Sequence, residues 1–114
     1  MIVLTGASGF IGSAYLALLN SLGIHDVMVV DVASLPHREK LLANKSYSQF
    51  VDKFDFISQL RADKLPSGIS GIVHLGACSS TTERNLEYLR ETNIDYTKSI
   101  IEYCVSKDIR CLYA

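Results

Sequence analysis

The stretch Thr5-Gly6-Ala7-Ser8-Gly9-Phe10-Ile11-Gly12 constrains this chain more than any other. It follows a short apolar run of strand type, Met1-Ile2-Val3-Leu4, and it opens a segment, Phe10 to Leu22, with helical periodicity. The glycines therefore fall in a strand-to-helix turn. Glycine suits such a turn because the backbone must curl tightly and approach a pyrophosphate closely, while the free N–H groups at the helix start point at phosphate oxygens. The spacing is G-x-x-G-x-x-G, not the commoner G-x-G-x-x-G, and a glycine-rich turn without a ligand is the plain alternative. Asp31 weighs against that alternative. It closes a second apolar run, Val27-Met28-Val29-Val30, 19 residues after Gly12. A carboxylate about 20 residues beyond the glycines, at the carboxyl end of the second strand, is placed to accept hydrogen bonds from adenosine ribose hydroxyls. Strand, turn, helix, strand and acid make one βαβ unit.

A chain of 114 residues is one domain by length. Its composition, 48% hydrophobic and 20% charged with a formal net charge of −1, gives no electrostatic reason to expect nucleic acid or an anionic membrane as partner. Cys78, Cys104 and Cys111 form no C-x-x-C pair, which suggests neither a disulfide framework nor a zinc site, and a reducing cytoplasm fits. No apolar run approaches the ~18 residues of a membrane span, and the amino-terminal residues have no basic leader pattern.

In the first helix, Ile11, Ala14, Tyr15, Leu18, Leu19 and Leu22 form a stripe expected to lie on a sheet, and Gly23 ends it. Val32 to Ser48, with Pro36 and the basic His37, Arg38 and Lys40, reads as a loop holding at most a turn of helix. A weak strand is expected near Tyr47 to Val51. A helix over Val51 to Leu60 follows, with Phe54, Ile57 and Leu60 on one face and Phe56 beside it. Gly71 to Ala77 reads as a strand running into the polar loop Cys78 to Thr82. Thr82 to Lys107 reads as helical, loosened near Asn93, and a last strand begins at Ile109. Strands alternating with helices predict a Rossmann-like, doubly wound parallel α/β sheet of order 3-2-1-4-5. Its ligand edge brings together the glycine turn, Asp31 and the loop after Leu75.

The T-G-x-x-G-F-I-G opening, Asp31, His74-Leu75-Gly76-Ala77 and Asn93-x-x-x-Thr97 together resemble the extended short-chain dehydrogenase/reductase superfamily. More narrowly, the run from His74 to Glu83 is similar to the signature loop of the ADP-L-glycero-D-manno-heptose 6-epimerase family. Asp52-Lys53-x-Asp55-Phe56, Glu102-Tyr103-Cys104 and Leu112-Tyr113-Ala114 extend the likeness over the family's amino-terminal third. The resemblance implies that Gly6, Gly9 and Gly12, with Phe10 and Ile11, line the pyrophosphate. It puts Asp31 on the adenosine ribose, Lys53 near the adenine end, Leu75, Gly76, Ala77, Cys78 and Ser79 beside the nicotinamide half, and Asn93 behind that loop. For Asn93 a bond to nearby backbone is an equal alternative, and His74, ending a buried strand, reads as a packed core residue. Val32 stands where the family usually carries a polar residue near the 2′-phosphate, and Ser34-Leu35-Pro36-His37 replaces a glycine-containing loop. Arg38 matches the family's phosphate-contacting lysine without a gap, Lys40 with a shift of two. The basic cluster argues for NADP, whereas Asp31 alone argues for NAD.

The resemblance implies an NADP-dependent inversion of ADP-heptose by transient hydride transfer in lipopolysaccharide core precursor synthesis, by a homo-oligomer in the full-length form. The family's catalytic Ser and Tyr-x-x-x-Lys would lie downstream, as would the substrate domain. The expectation is thus a dinucleotide-binding portion that ends after the strand near Ile109, is inactive by itself and carries no catalytic residue or metal site. Tyr103 and Lys107 satisfy Tyr-x-x-x-Lys, but a helix running back along the sheet for about 20 residues at ~1.5 Å each puts them roughly 30 Å from the ligand edge. The alternative is a stand-alone nucleotide-binding or interaction module without chemistry.

Overall fold

The runs Ile2–Thr5, Val27–Asp31 and Gly71–His74 become three adjacent parallel strands, because each is apolar enough to be buried on both faces. The computed structural model describes residues 1–33, 38–76 and 94–113. In it β1 (Ile2–Thr5) lies between β2 (Val27–Asp31) and β4 (Gly71–His74), with β3 (Gln49–Asp52) beyond β2 and β5 (Arg110–Tyr113) beyond β4. The order is 3-2-1-4-5, as expected from the sequence. Register pairs Thr5 with Val30 and His74, Asp31 with Asp52, and His74 with Tyr113, so these residues share the carboxyl edge of the sheet.

Right-handed crossovers divide the helices between the faces. On one face α1 (Phe10–Ser21) and α2 (Arg38–Leu42) cover Leu4, Val27, Val29 and Val73. On the other α3 (Lys53–Arg61) and α4 (Tyr96–Lys107), entered through a wide turn at Ile94 and Asp95, cover Val3, Met28, Val30 and Ile72. Gly23, at φ +81°, ends α1: its N–H bonds the Asn20 carbonyl while that of Ile24 bonds the Leu19 carbonyl, the double closure of a Schellman turn.

Two helix faces differ from the periodicity. The buried face of α1 is Gly12, Ser13, Leu16 and Leu19, whereas Ile11, Ala14, Leu18 and Leu22 are exposed and Tyr15 is half-buried. Nearly every position of this helix is small or apolar, so periodicity offers several stripes. The orientation is instead set at the turn, where Gly12 is pressed against the Gly6 carbonyl. In α3 the buried residues are Lys53, Phe56, Ile57 and Leu60, and Phe54 is exposed. The cause is a later start: Val51 and Asp52 belong to β3, and the Asp52 carboxylate caps α3 by accepting the Phe54 N–H at 2.9 Å. Strand β4 stops at His74, three residues short of Ala77. The expected helical stretch from Thr82 to Asn93 lies outside the described residues.

Candidate functional site

Three glycines build the turn between β1 and α1, but the fold needs them unequally. Gly6 has φ +72°, and a Cβ there would come within 2.6 Å of the Leu75 carbonyl oxygen. A Cβ on Gly12 would sit 1.9 Å from the Gly6 oxygen. At Gly9 the backbone is ordinary, φ −80° and ψ 170°, and among the described residues a Cβ would meet only the Gly6 oxygen at 3.3 Å, a contact relieved by a few tenths of an ångström. Gly6 and Gly12 are therefore dictated by packing. Gly9 is exposed, and sterics within the chain explain its lack of a side chain only weakly.

The turn is braced from below. The Gly6 N–H donates to the Val30 carbonyl at 2.8 Å, the Gly9 N–H to the Gly6 carbonyl at 3.0 Å and the Ser13 N–H to the Gly9 carbonyl at 2.9 Å. Among the described residues no side chain caps α1 and its first turn holds no acid, so its leading amides and the positive end of its dipole face an outside acceptor. Phe10 and Ile11 stand exposed beside this opening. The Ser8 hydroxyl is buried without a partner among the described residues.

Asp31 is tied to the same turn. One carboxylate oxygen accepts the Ser8 N–H at 2.9 Å and the other the Val32 N–H at 2.8 Å. Each oxygen keeps a lone pair, so the carboxylate is aimed and still able to receive two more hydroxyl donors. Beyond it, the Ala33 N–H reaches the Asp52 carboxylate at 3.2 Å. Lys40 is exposed on α2; the backbone of Arg38 opens that helix.

Lys53 is buried at the middle of the edge, its ammonium 3.4 Å from the Gly76 carbonyl oxygen and 5.1 Å from the centre of the Tyr96 ring. With Thr5, Gly6, Asp31 and Gly76 it lines a cavity of about 10 Å³. Leu75 and Gly76 pass against the glycine turn, and a Cβ on Gly76 would meet the Thr5 hydroxyl at 3.0 Å. The structure thus gathers Gly6, Gly9, Gly12, Phe10, Ile11, Asp31, Val32, Lys53, Leu75 and Gly76 at one edge. Ala77, Cys78, Ser79 and Asn93 lie outside the described residues.

Two further groups were not evident as site residues. His74 is buried as expected, but it also bonds Thr5 and Thr97 and stacks on Tyr96, centroids 5.7 Å apart. Burial, with the Lys53 charge adding to it, pushes the imidazole down from 6.5 to about 4. Tyr96, its hydroxyl donating to the Lys53 carbonyl at 2.9 Å, is pushed well above the ordinary tyrosine range by burial and then by Asp31 and Asp52. In sequence these residues are scattered, and only the T-G pair of the turn hinted at Thr5.

Tyr103 and Lys107 are far from this chemistry. They line a groove with Asp63, Leu65, Gly68 and Ile69, which precede β4, and so sit toward the opposite edge of the sheet. Lys107 is paired with Asp63 at 2.9 Å, and the Tyr103 phenol is raised, by burial first, when a catalytic tyrosine would need lowering. Cys104 is pushed up to about 12 by burial and by neighbouring Cys111, which makes it a poor nucleophile. Among the described residues no cluster could hold a metal ion, and no helix is long and apolar enough to cross a membrane.

The chain is similar to known proteins over its whole length. The chain is 39% identical over all 114 residues to ADP-L-glycero-D-manno-heptose-6-epimerase of Nitratidesulfovibrio vulgaris (strain DP4), covering 35% of that protein. The crystal structure of the Helicobacter pylori ADP-L-glycero-D-manno-heptose-6-epimerase superposes with a TM-score of 0.77 at 27% identity, over 98% of this chain and 37% of that one. A UDP-glucose 4-epimerase from Thermotoga maritima, solved with UDP-glucose, shares the fold with a TM-score of 0.76 at 24% identity, over 98% of this chain and 36% of that one. The chain therefore spans about a third of the length of the relatives it matches. A family model matches residues 2–114, and the chain belongs to the NAD dependent epimerase/dehydratase family.

Proposed function

We propose that this chain is the dinucleotide-binding portion of an NADP-dependent sugar-nucleotide epimerase that acts on ADP-heptose in lipopolysaccharide core precursor synthesis. The observation that carries the binding role is the uneven demand for glycine: Gly6 and Gly12 are required by the fold, while Gly9 leaves open the approach to an uncapped helix start. The 39% identity to an ADP-heptose epimerase over the whole chain supports the substrate class.

In this reading the pyrophosphate lies on Gly6, Gly9, Gly12, Phe10 and Ile11, and the adenosine ribose on Asp31 beside Val32. The carboxylate is already aimed by the Ser8 and Val32 amides, so little ordering is needed when the ribose arrives. Leu75 and Gly76, continuing into Ala77, Cys78 and Ser79, flank the nicotinamide half with Asn93 behind that loop, and Lys53 sits near the adenine end. When bound, the nicotinamide supplies reversible hydride acceptance at the sugar carbon that inverts. The residues of this chain bind and orient; the expected outcome is that the 114-residue chain alone forms no epimerised ADP-heptose with NADP supplied. The full-length form is read as a cytoplasmic homo-oligomer.

NADP preference rests on the basic cluster. A 2′-phosphate beside Asp31 is repelled unless a cation answers it, and Arg38 and Lys40 follow Asp31 closely in the chain. A charge-assisted contact there is worth about 1.5–3 kcal/mol, roughly tenfold to a hundredfold in affinity. Calorimetry with Arg38→Ala and Lys40→Ala should show NADP weakened by that factor, NAD nearly unchanged and the loss smaller at high salt. Equal losses of both dinucleotides in both variants would remove the basis for NADP.

A further inference from the structure

The loop after β4 touches the glycine turn backbone to backbone, and one hydroxyl joins them. The Thr5 Oγ1, buried at the end of β1, accepts the N–H groups of Leu75 and Gly76, each at 3.1 Å; the Leu75 N–H is shared with the Thr5 carbonyl at 3.2 Å. The same oxygen lies 2.6 Å from Nδ1 of His74, whose Nε2 lies 2.8 Å from the Thr97 hydroxyl of α4.

A hydroxyl has two lone pairs and one proton. Both lone pairs of Thr5 are taken by the two amides, so its proton is the only partner it can offer the ring. Nδ1 must then be bare, and the ring proton resides on Nε2, donated to Thr97. The reverse tautomer would load three donors onto one oxygen and leave the buried Thr5 proton without an acceptor, a cost that buried polar groups avoid. Stacking on Tyr96 holds the ring plane, and Tyr96 is itself bonded to the start of α3 through the Lys53 carbonyl.

We propose that His74 is a positioning residue of the dinucleotide edge: as the neutral Nε2–H tautomer it relays from Thr97 to Thr5 and thereby sets the Leu75–Gly76 backbone against the glycine turn. The relay itself follows from the hydrogen-bond inventory, and only its consequence for affinity rests on the dinucleotide reading.

Imidazole ¹⁵N NMR of the 114-residue chain at neutral pH tests the tautomer directly. A bare Nδ1 and a protonated Nε2 on His74 are expected; a proton on Nδ1, or a charged ring, overturns the proposal. Thr5→Val then removes the relay with little change of shape, and Thr5→Ser restores the hydroxyl. In Thr5→Val the Gly76 amide, bonded to the hydroxyl, should exchange with solvent about tenfold faster or more, the Leu75 amide less because it keeps the Thr5 carbonyl, and in Thr5→Ser both should exchange near the original rate. Dinucleotide affinity should follow the same pattern of loss and rescue. Exchange unchanged in a folded Thr5→Val, or affinity unchanged despite faster exchange, contradicts the positioning role. A chain that binds neither NAD nor NADP counts against the cofactor reading alone, because the tautomer and the exchange rates still decide the relay. Should Thr5→Val fail to fold, the ring nitrogens of the unmodified chain decide it.

Discussion

Replacing Gly9 and Gly12 by alanine one at a time separates what the fold demands from what a ligand demands. At position 12 the added methyl would lie 1.9 Å from the Gly6 oxygen, 2.7 Å from the Gly6 carbonyl carbon and 3.0 Å from the Ala7 Cα. All three are backbone atoms, so no rotamer change relieves them, and α1 must move by an ångström or more off Leu4 and Val29. Overpacking of this kind costs about 1–3 kcal/mol or more, a large share of the roughly 5–15 kcal/mol that holds a domain together. At position 9 the single 3.3 Å contact and the ordinary φ make the penalty chiefly that of alanine for glycine at a helix start, on the order of 1 kcal/mol or less. Gly12→Ala should therefore fail to fold, or melt at least about 10 °C lower, while Gly9→Ala should melt within about 5 °C of the unmodified chain. Dinucleotide affinity should separate the other way: a methyl at position 9 holds the pyrophosphate off the helix amides, and the lost charge-assisted bonds weaken binding about tenfold or more. Thermal melts by circular dichroism and calorimetric titration with NADP read the two effects separately. A Gly12→Ala chain as stable as the original would refute the turn geometry. A folded Gly9→Ala chain with undiminished affinity would mean that the phosphates bind elsewhere.

Other consequences concern charge. His74 falls from 6.5 to about 4 on folding, so it stays neutral in the folded chain where the unfolded chain takes up a proton. Its contribution to stability is full above pH 6.5, declines by about 3 kcal/mol as pH falls to 4 and is flat below that, which urea melts across this range should show. In His74→Phe that part of the slope should vanish. Asp31→Asn should weaken NAD about tenfold or more but NADP less, because one carboxylate acceptor is lost in both cases while repulsion of the 2′-phosphate is relieved only in the second; an unchanged NAD-to-NADP ratio would argue against a ribose contact. Tyr103→Phe and Lys107→Ala, at the far edge, should leave dinucleotide affinity unchanged, and a large loss in either would reopen that Tyr-x-x-x-Lys as part of the site.

The sheet order was legible because two strong signals coincide: apolar runs such as Val27–Val30, fully buried as strands, and glycines spaced at a strand-to-helix turn. The spacing of Asp31 from the turn likewise foretold its place beside Ser8. Helix faces were harder to read. With Ile11, Leu16, Leu18, Leu19 and Leu22 all in or beside α1, hydrophobic periodicity selected Leu19 but missed Leu16, and the contact that sets the buried face is between two glycine backbones. The Thr5–His74–Thr97 chain was not legible, since its members lie 69 and 23 residues apart: the parallel register of β1 with β4 brings Thr5 to His74, and the start of α4 brings Thr97 to the ring.

A dinucleotide should touch the chain along the carboxyl edge of the sheet, at the glycine turn, Asp31 and the Leu75–Gly76 backbone. Titration of ¹⁵N-labelled protein with NADP should shift the amides of Gly6, Gly9 through Gly12, Val32 and Leu75–Gly76, and leave Asp63, Lys64 and Ile69 at the other edge of the sheet unmoved. Shifts centred on Asp63–Ile69, or no shift anywhere at millimolar NADP and NAD, would contradict it.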